Sequence, residues 1–166
     1  MFVSVKPTTI KTPWGLLLAT WSDVNTLTRL VFLEDSTSFS STRFLLPSTH
    51  HRRPPSNGLR LLPEGTDFQR SVWQEVFSLK TQISYRDLAL RLNIPAGQRA
   101  VASALSANPL ALLVPCHLVC KQDGSLGGYR WGLERKEALL KLPLDQVRGV
   151  VLTALGFDAK KGCFLA

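Results

Sequence analysis

Residues Ser84 to Ala107 read SYRDLALRLNIPAGQRAVASALSA. After Ser84 comes a helical repeat of Leu88, Ala89 and Leu92, which Asn93-Ile94-Pro95-Ala96-Gly97 breaks. A further helix runs from about Gln98 to Ala107, and Asn108-Pro109 stops it. Helix, short glycine-containing turn, helix is the helix-turn-helix pattern, in which the second helix enters a DNA groove. Many helical hairpins share that outline, so it points to a fold before it points to a function.

Upstream, Thr66 or Asp67 can cap a helix in which Phe68, Val72, Trp73, Val76 and Phe77 recur at helical spacing. Still earlier, Leu16 to Trp21 and Leu27 to Leu33 flank a turn at Asp23-Val24-Asn25, which predicts a strand hairpin or meander. Residues 36 to 64 shift to Ser, Thr, Pro, His and Arg and read as a connector, with one short element near Phe44-Leu46. His50-His51-Arg52-Arg53 within it reads as a solvated loop. Downstream, Asp123 to Gly128 is a glycine-rich loop that matches no phosphate-cradling motif. A helix from about Leu133 carries Leu139, Leu140 and Leu142, and the tail from Val147 to Leu155 reads as one more helix or strand. The expected class is α+β: a strand-rich unit with connector over 1–64, then a mainly helical unit over 65–166 with a winged helix-turn-helix-like element.

Chemistry concentrates in Val114-Pro115-Cys116-His117-Leu118-Val119. Leu110 to Val114 reads as a short buried strand that Pro115 ends, so the thiol emerges where core meets surface. An ordinary thiol is only a few per cent ionised at neutral pH, and a neighbouring imidazole raises that fraction by taking the proton. The alternative is a packed, inert cysteine.

The chain has 166 residues, 45% of them hydrophobic, enough for a proper core. Twenty Lys and Arg against twelve Asp and Glu leave a net charge of +8, spread along the chain, which suits a polyanionic partner. Cys116, Cys120 and Cys163 are too few and too odd for a disulfide framework and fit a reducing compartment. Their spacing to His50, His51 and His117 does not suit a closed metal site, so no metal is expected. No apolar run approaches membrane-spanning length and the N-terminus lacks a secretory layout. The expected setting is intracellular, cytoplasmic in a prokaryote and nuclear in a eukaryote.

From Gly65-Thr66-Asp67-Phe68-Gln69 through Val72-Trp73, Ser84-Tyr85, Arg99-Ala100-Val101, Asn108-Pro109, Pro115-Cys116-His117, Gly127-Gly128-Tyr129-Arg130-Trp131-Gly132 and Arg135-Lys136, the chain resembles the O6-alkylguanine-DNA alkyltransferases. The resemblance implies one-step transfer of an alkyl group from guanine O6, and from thymine O4, to Cys116, once per molecule and without a cofactor. It implies that His117 withdraws the thiol proton through a water and that Tyr85 protonates guanine N3. Asn108 would join the DNA-binding helix to the reactive segment. The partner would be double-stranded DNA bearing O6-alkylguanine, met by a monomer through the minor groove with the base rotated out of the stack. The small residues Ala100, Ala102, Ser103 and Ser106, with Ser84, would approach the DNA, and Arg99 would fill the vacated stack. Tyr129, Gly127, Val119, Ala111 and Arg130 would line the base pocket.

Two positions depart from the family. Leu118 stands where arginine is usual, and Pro143 where an acidic residue orients the histidine; Asp145 is the nearest substitute. A further departure, Ala111 where some relatives have proline, implies a pocket less suited to bulky adducts. Three other readings remain: a non-repairing sensor of alkylated DNA on the same scaffold, a helix-turn-helix regulator, and a thiol hydrolase. The small-residue helix disfavours the regulator. Adjacent residues on an extended segment diverge, which makes the hydrolase dyad awkward.

Overall fold

The computed structural model describes residues 6–33 and 58–166. The element expected near Phe44-Leu46 and the basic run His50 to Arg53 lie outside the described residues. Strands β1 (Thr8–Thr12), β2 (Gly15–Trp21) and β3 (Thr26–Phe32) form an antiparallel meander, as the alternating apolar pattern predicts. Leu17, Ala19 and Trp21 of β2 and Leu30 and Phe32 of β3 face the core. Gly15 turns β1 into β2 at φ 137, a conformation that favours glycine.

Two short strands extend this sheet in parallel, β4 (Leu59–Leu61) beside β3 and β7 (Cys163–Leu165) beside β4. The tail is thus both helix and strand, α5 (Leu144–Ala154) and then β7. The residue-64 boundary therefore does not separate strands from helices, because β7 returns to the first sheet.

Helix α1 (Asp67–Phe77) starts at a capping box. Thr66 Oγ1 accepts from the Gln69 amide at 3.1 Å, and the Thr66 amide donates back to Gln69 Oε1 at 2.9 Å. The helical hairpin follows as α2 (Tyr85–Arg91) and α3 (Gln98–Ser106). Asn93 ends α2 in the left-handed region, φ 59, and the Ile94 amide reaches back to Ala89 O at 2.9 Å. Trp73 of α1 fastens α3: buried, it donates from Nε1 to Ala104 O at 2.8 Å. A two-stranded parallel ladder, β5 (Ile83–Ser84) with β6 (Val119–Cys120), flanks the hairpin. Helix α4 (Leu133–Leu140) precedes α5.

Leu110 to Val114 is not a strand. Leu110 alone bridges to Leu30, whose amide donates to Pro109 O at 2.7 Å and whose carbonyl accepts from the Ala111 amide at 2.8 Å. The chain then turns, with Leu112 at φ 68, and closes a Val114 amide bond to Leu110 O at 3.1 Å. The cause is Asn108. Its Oδ1 accepts from the Leu110 amide at 2.9 Å and its Nδ2 donates to Val114 O at 3.1 Å, so the apolar run wraps around one buried amide.

Candidate active site

Cys116 opens a 3-10 turn, Cys116–Leu118, rather than lying on an extended segment. Its sulfur accepts a hydrogen bond from Asn108 Nδ2 at 3.0 Å. The residue is only 7% exposed, and it faces a cavity of about 520 Å³, within the range of small-molecule sites. Burial pushes the thiol up to about 12; the Asn108 bond and the charge of Lys136 pull the other way.

Helix α3 forms one wall with Gln98, Arg99, Ala102, Leu105 and Ser106. Opposite stand Tyr85 and the loop Gly127 to Trp131, with Lys121 beside them. Gly127 has φ 67, and a Cβ there would lie 3.0 Å from Tyr85 Cε2. The Tyr85 hydroxyl donates to Gly128 O at 3.3 Å, and burial raises its pKa. Arg99, Lys121 and Arg130 are the charged residues lining the cavity, all cationic. Arg130 donates to the carbonyls of Ser106 and Asn108 at 3.4 and 3.3 Å and stacks over Trp131, tying the loop to the end of α3.

Lys136 was read only as part of a motif, with no role assigned to it. Its Nζ donates to the carbonyls of Val119, Leu126 and Gly128, holding the glycine loop against β6. Its lysine lies three and four residues before Leu139 and Leu140, on the apolar stripe of α4, which is the signal that marked it. Gln98, Lys121, Leu105 and Trp131 were also unassigned.

His117 is 1% exposed, and neither ring nitrogen has a hydrogen-bond partner among the described residues. Burial, then the charges of Lys136 and Arg148, lower it to about 4, so the ring is neutral at pH 7. Asp145 is exposed and makes no bond to the imidazole, so it does not stand in for the missing acid.

The structure brings Cys116, Tyr85, Arg99, Ala102, Ser106, Gly127, Tyr129 and Arg130 around the cavity. Ala100 and Ser103 are exposed on α3 outside it. Three expected contacts need correction. Ser84 is buried and its hydroxyl caps α2, donating to Asp87 Oδ2 at 2.7 Å and accepting from the Asp87 amide at 3.0 Å. Ala111 and Val119 are fully buried away from the cavity, Ala111 bonded to β3 and Val119 on β6. Ala111 therefore gives no reading of adduct size.

Among the described residues there is no cluster of three or more His, Cys, Asp or Glu that could hold a metal, and no helix long and apolar enough to cross a membrane.

Residues 67–143 match a family described as 6-O-methylguanine DNA methyltransferase, DNA binding domain. A methylated-DNA–protein-cysteine methyltransferase of Methanosarcina mazei is 36% identical over 156 residues, covering 84% of this chain and 97% of the relative. The regulatory protein ada of Salmonella typhimurium is 49% identical over 80 residues, 47% of this chain and 23% of that protein. The chain thus spans less than two thirds of several relatives it matches. The structure of Mycobacterium tuberculosis OGT in complex with DNA superposes with a TM-score of 0.65 at 31% identity, over 83% of this chain and 92% of the other.

Proposed function

We propose a function from one premise: the chain belongs to the methylated-DNA–protein-cysteine methyltransferase family. It repairs O6-alkylguanine in duplex DNA by moving the alkyl group to Cys116. The observation that carries this is a single sulfur, held by Asn108, at a cavity of about 520 Å³ whose lining charges are all positive.

The S–C bond forms as the C–O6 bond breaks, so the guanine leaves with the bonding electrons. The hydroxyl of Tyr85 supplies a proton to the leaving base, and the thiol proton passes to His117 through a water and on to the tyrosine. Net, the thiol hydrogen ends on guanine and the alkyl group on sulfur. A thioether is a poor leaving group, so each molecule acts once and needs no cofactor. Thymine O4 offers the same alkyl–oxygen chemistry.

Helix α3 presents Arg99, Ala100, Ala102, Ser103 and Ser106 outward, small enough apart from the arginine to approach a minor-groove floor. Arg99 at its start fills the stack that the extruded base leaves. The protein works as a monomer inside the cell, residues 65–143 carrying the DNA contact and the chemistry.

Intact mass spectrometry after mixing with an O6-methylguanine duplex tests this. One methyl gained on Cys116, and lost in Cys116→Ala, is the expected result. Binding without a mass change would leave a damage sensor instead.

A further inference from the structure

Helix α5 lies beyond the matched family segment, which stops at residue 143. From it Arg148 reaches back into the molecule. Its Nη2 donates to Phe77 O at 2.9 Å and to Leu113 O at 3.1 Å, and its Nε donates to Leu113 O at 3.3 Å. The guanidinium also lies over the Phe77 ring, 4.5 Å from its centre. One of these carbonyls closes α1; the other is three residues before the reactive cysteine.

Two further observations join this one. Leu112, next to the clamped carbonyl, holds φ 68, a strained conformation that persists only where neighbours enforce it. And the imidazole of His117 is buried without a protein partner among the described residues. The charges acting on it are Lys136 from α4 and Arg148 from α5. Asp145, one turn earlier on α5, is exposed and acts on Arg148, while Glu75 on α1 pairs with Arg91 at 3.4 Å.

We infer that Arg148 is a positioning residue for the transfer: its forked bonds to Leu113 O and Phe77 O fix the turn that carries Cys116. This rests on Cys116 being the alkyl acceptor. A carboxylate beside an imidazole favours the protonated ring; a guanidinium disfavours it. His117 then relays the proton without holding it as a lasting imidazolium, and stabilisation of the thiolate falls to the Asn108 amide and the Lys136 charge. Those are the two groups that lower the thiol besides its own backbone.

The full chain carrying Arg148→Lys keeps the charge and loses the fork; Arg148→Met loses both. Methyl transfer to Cys116 is timed on an O6-methylguanine duplex, and His117 is titrated by NMR, its signals assigned by difference with His117→Gln. Arg148→Lys should slow transfer between about 10- and 100-fold with His117 still depressed. Arg148→Met should slow it comparably and raise the His117 titration only part of the way, because burial and Lys136 still depress it. Parental rates in the lysine variant overturn the positioning role, and an unmoved His117 titration in the methionine variant overturns the action of the Arg148 charge on His117. Should Arg148→Met not fold, the lysine variant alone decides the positioning. A parent that gains no methyl refutes the proposed function instead, and the titration, read without substrate, still judges Arg148.

Discussion

His117 carries a consequence for stability as well as for chemistry. Its folded pKa is depressed to about 4 from 6.5. The unfolded chain therefore takes up a proton on this ring before the native protein does. The stability it contributes is fully present above pH 6.5 and is lost as pH falls through about 4, a loss on the order of 3 kcal/mol. Urea midpoints measured from pH 7 to 4 should fall, and His117→Gln should flatten that fall. Cys116 gives a slope of the same sign in rate, at higher pH. With its thiol near 12, the thiolate fraction rises tenfold per pH unit, so the transfer rate should climb across pH 7 to 9 without levelling. A plateau near neutrality would mean a thiol far more acidic than its burial implies. Asn108 links the Cys116 sulfur to the backbone of Leu110 and Val114. Asn108→Ala removes the donor to sulfur and strands the Leu110 amide, which should cost about 1–3 kcal/mol as well as slowing transfer, read by urea melts and by the mass shift.

At the scale of elements, α3 and the glycine loop face each other across the cavity and can be tested apart. Arg99→Ala should impair repair of duplex far more than removal of the alkyl group from the free modified base, since only the duplex has a stack to fill. Equal losses on both substrates would take that role from Arg99. Gly127→Ala presses a methyl against Tyr85 in a left-handed backbone position, and should slow both substrates alike, with little change in DNA affinity. Much of this level was legible beforehand. Leu17, Ala19 and Trp21 alternate as a half-buried strand must, and the spacing of Val72, Trp73 and Val76 fits one helix face. Leu110 to Val114 was illegible for a physical reason: an unbroken apolar run is equally at home in a buried strand and a buried turn. Only the bonds of Asn108, whose partners lie two to eight residues away, choose between them. Ser84 was misread because a serine before a helix serves equally as cap or as contact, and its pairing with Asp87 selects the cap.

Across the whole molecule, what escaped the sequence is what depends on distant pairing. Nothing local in Cys163-Phe164-Leu165 shows that it lies beside Leu59 to Leu61. Likewise Arg135, read as part of a motif, donates to Trp14 O at 2.8 Å and stacks on Phe32 at 4.3 Å, tying α4 to the β1–β2 turn. The net charge of +8 was plain from composition, and its effect belongs to this scale. Affinity for undamaged duplex should fall by about 10³-fold between 50 and 200 mM salt if six phosphates are met. Filter binding over that range measures it, and a flat response would deny a phosphate-dominated contact.

The bridge between β3 and the reactive segment reaches into how the protein breathes. Across a long stretch of chain, the Leu30 amide donates to Pro109 O and the Ala111 amide donates to Leu30 O, with Leu30 and Ala111 fully buried. Their amides can meet solvent deuterium only when sheet and turn come apart together. The isotope clock of those two amides should therefore run at the pace of global opening, so that the segment bearing the sulfur is among the last parts of the chain to loosen.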